Sequence, residues 1–333
     1  ALPTGIEALA ALTIPASELN NAGAASSAPL LYNSDGPLVS SSRLESLTAV
    51  TDDMLLNPPA DDWLNWRRTR DAFGHSTLNQ IDKENVEDLQ LAWSWSLPQG
   101  ENMMTPIVHD GVMFAYSYGD VLQAMDAATG ELLWSFQRPL EGGKSPGMKK
   151  GAAIYDDKIV IATSDIHLIA IEAKTGKIAW DHKVDGGGED SFLFRSAPLI
   201  ANGKAIIGLT GRTAVEGGDF IFALDMDTGE EVWRFYTIAR PDEPGGHTWN
   251  GLPLEERNGG SIWIPGSFDA DLNLVYFGPA PTYDTNPLRT PHPDPNMTRD
   301  ALYTNSTVAL HADTGELAWH YQHISNDQLD HDW

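Results

Sequence analysis

The chain has no cysteine among its 333 residues. That excludes disulfides, thiolate zinc sites and covalent haem held by a Cys-x-x-Cys-His segment, and it says nothing about compartment. Basic residues are scarce: 21 Lys and Arg stand against 47 Asp and Glu, a formal net charge of −26. No Lys/Arg run occurs, so neither a nucleic-acid surface nor an anionic-membrane surface is expected. The acidity reads first as solubility, with steering of a basic partner as the lesser reading. Long apolar runs are also missing, and none approaches the ~18 residues of a membrane span. The first basic residue is Arg43. The opening stretch therefore lacks the positive region of an intact signal peptide, although the remnant left by cleavage would have this composition.

What the sequence does contain is a repeat. "MDAATGELLW" (125–134), "IEAKTGKIAW" (171–180), "LDMDTGEEVW" (224–233) and "LHADTGELAW" (310–319) share Thr-Gly, three residues, then Trp. Short β-branched or aromatic runs precede each copy, separated by Asp-Gly, Asn-Gly or Asp-Asp, which are turn signals between strands. Several short antiparallel strands per unit, recurring at a period near ~45, are the mark of a propeller blade. The expected fold is all-β: a β-propeller of four-stranded antiparallel blades, about four repeats in this chain. The glycines fall at 130, 176, 229 and 315. The last interval is long because one blade carries two Pro/Gly-rich insertions, 236–260 and 279–304, and insertions on a rigid scaffold build binding faces. Residues 1–50 read as an extended arm, 51–88 as a packed lead-in with a strand beginning around Trp93, and 89–333 as the blades of a partial ring. Thr-Gly suits a tight turn because Gly takes positive φ without steric cost, and Trp is a broad apolar plate. On their own these positions are scaffold.

The chain resembles the pyrroloquinoline quinone (PQQ) dependent alcohol dehydrogenases, the quinoproteins. Beyond the repeat, the resemblance rests on "LLNPPADDWLNWRRTRDAFGHSTLNQIDKENVEDLQLAWSWSL", "GGSIWIPGSFDADLNLVYFG" and the ending "YQHISNDQLDHDW". It implies an eight-bladed propeller locked by tryptophan docking motifs. It also implies PQQ and a Ca²⁺ or lanthanide ion as cofactors, and a small-molecule alcohol as substrate. Electrons would pass to an external acceptor, a cytochrome c, and the location would be periplasmic or secreted. With four repeats here, the remaining blades are expected outside this chain.

Residue by residue, the resemblance makes Trp263 the plate beneath the quinone and Ser261 a cofactor contact in a family Thr position. Lys150 stands in the place of the active-site Arg, where a cation would stabilise charge on the reduced quinone. Thr210 and Gly211 form the cofactor-contacting turn. Arg195 replaces a Thr and could pair with a quinone carboxylate. Asp330 takes the place of the catalytic base. Asp332 supplies the Asp-x-Asp form associated with lanthanide-using relatives, since two carboxylates at i and i+2 can face one hard cation. Departures touch the metal site: Thr213 and Pro281 stand where the family has its metal-binding Glu and Asn, and Glu216 could substitute only through a shifted loop. Lys144 and Ser145 stand where many members have a vicinal cysteine pair. A non-enzymatic propeller scaffold or protein-binding module of the cell envelope draws on the same repeat. A sugar-binding module would use the aromatics of the first insertion.

Overall fold

The computed structural model describes residues 36–39, 41–140, 147–185, 191–211 and 215–327. Two short helices, α1 (Ser42–Ser46) and α2 (Asp52–Leu56), open it, each capped by a hydroxyl, of Ser41 and Thr51 respectively. Such caps satisfy amide groups that a five-residue helix cannot pair internally. Strand β1 (Asn102–Thr105) then precedes a first sheet of β2 (Ile107–His109), β3 (Val112–Ser117), β4 (Val121–Asp126) and β5 (Leu132–Gln137). β6 (Lys149–Gly151), which pairs parallel with β1, leads into a second sheet of β7 (Ala153–Tyr155), β8 (Lys158–Ala162), β9 (His167–Glu172) and β10 (Ile178–Lys183). The third sheet is β12 (Leu199–Ala201), β13 (Lys204–Gly208), β15 (Phe220–Asp225) and β16 (Glu231–Tyr236); β11 (Phe192–Leu193) pairs separately with β14 (Thr210–Gly211). The fourth is β17 (Ser267–Asp269), β18 (Leu274–Phe277), β19 (Ser306–His311) and β20 (Leu317–Gln322). Every four-stranded sheet is an antiparallel meander in chain order. Among the described residues the sheets do not close on themselves.

Central strands are buried on both faces. Ile159, Val160 and Ile161 of β8 are each 0% exposed, so these strands read as apolar runs rather than as an alternation of apolar and polar residues. The reason is that the second and third sheets are each sandwiched between two neighbours. One apolar cluster joins the first three sheets and a second joins the third to the fourth.

The four Trp-to-turn contacts between neighbours explain the repeat. Trp93, Trp134, Trp180 and Trp233 donate their Nε1–H to the carbonyls of Ala127, Ala173, Met226 and Ala312, at 3.1, 2.8, 2.9 and 3.0 Å. Each acceptor lies three residues before the turn glycine of the following sheet. A Cβ on Gly130, Gly176, Gly229 or Gly315 would sit 2.7, 2.9, 2.7 or 2.5 Å from that same Trp ring, and φ there is +71 to +73°. Glycine is thus required twice, for the turn and for the ring lying against it. Trp319, the last in the series, is 45% exposed.

Three differences from the sequence reading appear. Residues 41–50, expected in the arm, pack: Leu44, Leu47 and Val50 are buried. Residues 71–88 of the lead-in are largely exposed, Phe73 at 76% and Ile81 at 59%, and so is Leu91 just after it, at 72%. The strand expected at Trp93 is absent, because no described strand offers it a backbone ladder; Trp93 and Trp95 are held through their indole N–H groups instead. No helix among the described residues is long and apolar enough to cross a membrane.

Candidate functional site

β6 places two lysines on opposite faces, as strand alternation demands. Lys149 turns inward to a buried ion pair with Asp120 at 2.5 Å, and it also donates to Ser164 Oγ at 2.9 Å. Lys150 turns the other way. Its ammonium donates to the Trp263 carbonyl at 2.7 Å and lies 4.4 Å from the centre of the Trp263 ring. Burial, and then the like charge of Arg195, hold the Lys150 pKa below its ordinary value. Neither Lys150 nor Arg195 meets a carboxylate among the described residues. Two neighbouring cations that meet no counter-charge among the described residues, beside an indole plate, form a surface suited to a flat anion.

Trp263 belongs to an extended segment clamped on both sides. Ile262 N–H donates to the Leu209 carbonyl at 2.8 Å, Thr210 Oγ1 donates to the Ile262 carbonyl at 3.0 Å, and Ala280 N–H donates to the Ser261 carbonyl at 3.0 Å. Ser261 is buried, and its Oγ accepts from the Tyr283 hydroxyl at 2.7 Å. The β11–β14 pairing sets Leu193 opposite Thr210 and Phe192 opposite Gly211. The structure therefore joins Lys150 to Trp263 through side-chain contacts, and Thr210 and Ser261 through the backbone of the 261–263 segment. Arg195 joins them by charge.

Other candidates are not joined. Asp330 and Asp332 lie outside the described residues, as do Thr213, Lys144 and Ser145. Glu216 is exposed in the turn before β15, with no partner among the described residues. The Pro281 carbonyl accepts from Gly260 N–H at 3.2 Å, so this position serves the backbone.

Sequence reasoning missed Asp219. It is 1% exposed, and neither carboxylate oxygen has a hydrogen-bond partner among the described residues. It stands between Gly211 and the Gly259–Ser261 segment, with its amide donating to the Gly259 carbonyl at 3.1 Å. Burial pushes its carboxyl up to about 8; the Gly211 amide offsets this only in part, without reaching hydrogen-bond geometry. An orphaned buried carboxyl beside the Thr210–Gly211 turn fits a hard cation, which would supply the charge the protein does not. The only signal in the sequence was an Asp directly before an apolar strand.

The two insertions form one fabric beside this segment. Arg257, 2% exposed, donates to the carbonyls of Leu252, Ala239 and Gly246 at 2.9, 2.6 and 3.1 Å. Burial and the like charge of Arg240 bring it down to about 10. Asn258 Oδ1 accepts from Tyr283 N–H and Asp284 N–H at 3.1 and 3.2 Å, and Trp249 donates to the Leu302 carbonyl at 2.6 Å.

Away from this site, Asp62, His109 and Asp110 cluster closely. Here His109 Nδ1 donates to Asp62 at 2.7 Å and Nε2 donates to the Thr48 carbonyl at 2.9 Å. Both ring nitrogens face acceptors, so the cluster is a latch between the lead-in and the first sheet.

The profile of the PQQ family described as "Glucose/ethanol/alcohol dehydrogenase, beta-propeller domain" matches residues 63–333. The chain is 34% identical over 285 residues to quinohemoprotein alcohol dehydrogenase ADH-IIG of Pseudomonas putida, covering 81% of this chain and 39% of that protein. It is 33% identical over 310 residues to the dehydrogenase subunit of the quinone-type alcohol dehydrogenase of Gluconobacter oxydans, covering 85% and 40%. In three dimensions it matches quinohemoprotein alcohol dehydrogenase ADHIIG of P. putida HK5 with a TM-score of 0.75 at 33% identity, covering 85% and 44%. A europium-containing methanol dehydrogenase matches with a TM-score of 0.72 at 25% identity, covering 84% and 52%. The chain thus spans about 40% of the length of these two curated relatives.

Proposed function

Because the chain belongs to the PQQ β-propeller family of glucose, ethanol and alcohol dehydrogenases, we propose that the protein containing it oxidises an alcohol hydroxyl, using PQQ and a hard cation within an eight-bladed ring. The observation that carries this reading is Lys150 lying on Trp263 with Arg195 beside it, neither neutralised by a carboxylate among the described residues. When bound, the quinone would supply a two-electron hydride acceptor. Trp263 offers the flat apolar face for it, and Lys150 and Arg195 offset its carboxylate charge. Lys150 is also placed to stabilise the negative charge that grows on reduction. Thr210 and Ser261 fix the height of the Trp263 segment.

Asp330 takes the substrate hydroxyl proton as general base. Asp219 holds the ion together with Asp330 and Asp332, and the metal is Ca²⁺ or a lanthanide. The Arg257–Asn258 fabric of the two insertions forms the wall that selects among small alcohols. Electrons leave to an external acceptor such as a cytochrome c, and the protein works in the periplasm or outside the cell. The test is reconstitution of the full-length protein with PQQ and either Ca²⁺ or La³⁺, followed by dye-linked alcohol oxidation. Asp330→Ala should abolish turnover while leaving the unfolding midpoint in place, and unchanged turnover would remove Asp330 from the mechanism.

A further inference from the structure

Between the inner strands of the sheets and the lead-in lies a cavity of about 130 Å³, lined among others by Ile107, Lys150, Ala153, Pro198 and Phe268. Arg70 enters it from the lead-in. Its guanidinium carbon stands 4.4 Å from the centre of the Phe268 ring. Nε, Nη1 and Nη2 are all buried, and none meets a hydrogen-bond acceptor among the described residues. The segment holding Arg70 is fixed: Arg68 donates to the Pro58 and Pro59 carbonyls at 3.2 Å, and Asn65 donates to the Leu55 and Arg68 carbonyls at 2.9 and 3.2 Å. Asp52 is near enough to act on Arg70 by charge, but it does not touch it, and its Oδ2 accepts from the Tyr155 hydroxyl at 3.0 Å.

A guanidinium keeps its proton at every physiological pH. A buried, unpaired one is among the costliest arrangements in a protein. Stacking on Phe268 neutralises no charge and satisfies no N–H. The group that answers five N–H donors in a planar fork is a carboxylate, bound through two parallel hydrogen bonds, and the cavity has room for one carried on a few heavy atoms. We propose that this cavity is an anion site in which Arg70, stacked on Phe268, receives a carboxylate group. That carboxylate arrives either on a free small acid or on an Asp or Glu side chain of the protein beyond these residues; the recognition chemistry is the same.

The test uses full-length protein and thermal unfolding, with sodium acetate titrated against sodium chloride at equal ionic strength. A saturable rise of roughly 1–3 °C with acetate, lost in Arg70→Met, identifies a free acid as the ligand. If acetate has no effect but Arg70→Met lowers the midpoint by several degrees, and Asp52→Asn does not, the carboxylate is the protein's own. Should Arg70→Met fail to fold, Arg70→Lys keeps the charge without the fork and should need roughly tenfold more acetate, or, for an internal partner, should lose part of the midpoint. Two results overturn the proposal. One is an Arg70→Met protein at least as stable as the parent. The other is an Asp52→Asn loss equal to that of Arg70→Met and not additive with it, which would make Asp52 the partner. Lys150 lines this cavity as well as meeting Trp263, but the redox reading makes no use of Arg70, so failure of the Arg70 variants leaves that reading standing, and loss of PQQ binding in Lys150→Met leaves this one.

Discussion

Replacing Asp219 by Asn should stabilise the metal-free protein, an unusual direction for a buried polar site. The carboxyl has an ordinary value of 3.8 and is raised by burial to about 8. Each tenfold change in proton affinity between the folded and unfolded chain corresponds to ~1.36 kcal/mol. At pH 7, about three pH units above the ordinary value, the buried carboxyl therefore costs about 4 kcal/mol relative to the unfolded chain. The folded state holds a proton that the unfolded state releases. Stability tied to this group is thus complete below about pH 3.8, falls as pH rises through about 8, and is flat beyond. Asn has the same shape and no charge, but its amide inherits the same lack of partners, which returns ~1–3 kcal/mol. The net expectation in chelator is a gain of ~1–3 kcal/mol at pH 7, larger at pH 8.5 and reversed near pH 4. Adding Ca²⁺ or La³⁺ should invert the order, since the ion stabilises the parent and not the variant. Urea unfolding midpoints of the full-length protein at pH 4, 7 and 8.5, with and without ion, measure all of this. Parent and variant midpoints that run parallel across pH in chelator would refute the orphaned-carboxyl argument. An undiminished response of the variant to the ion would remove Asp219 from the metal site.

Lys150→Met should weaken PQQ binding by roughly 10–100-fold, the weight of one charge-assisted contact, in an absorption titration; equal affinity would mean the ammonium serves only Trp263. His109 offers a pH test of the opposite latch. Burial alone would lower its pKa, but Asp62, the Thr48 carbonyl and Asp110 together raise it. The stabilisation it gives is therefore complete below about pH 6.5 and lost as pH climbs through the raised folded value. His109→Gln should flatten that decline and, by removing the cation that faces the buried Asp62, cost ~3–5 kcal/mol at pH 6, with an unchanged pH profile as the contrary result. Gly229→Ala should cost ~2–4 kcal/mol, because the methyl meets the Trp180 ring at a φ of +71°; a loss below ~1 kcal/mol in urea unfolding would show the ring moving aside freely.

The parts legible in the sequence are those set by local rules. Thr-Gly-x-x-x-Trp announces itself because a positive-φ turn and a plate four residues later are both written in adjacent letters, and the contact from each Trp to the next turn then follows from repetition. Trp263 and Lys150 were legible by their order along the chain. What stayed hidden depends on distant burial. Asp219, Arg70 and Arg257 are ordinary surface-type letters, and only the fold reveals that their charges are enclosed. The apolar letters of 71–91 suggested packing, yet Leu78, Ile81, Leu89 and Leu91 are 46–72% exposed among the described residues. The expected strand at Trp93 fails for a related reason, since a strand needs a partner and a sequence pattern supplies only one side of the ladder. Trp93 nevertheless stands to Gly130 as Trp134 stands to Gly176. It therefore docks on the first sheet as Trp134 docks on the second, while the plate of Trp319 is exposed. A repeat whose units interact only with their neighbours carries its own continuation rule: the surface that receives Trp319 should offer a Gly at positive φ and a carbonyl three residues before it.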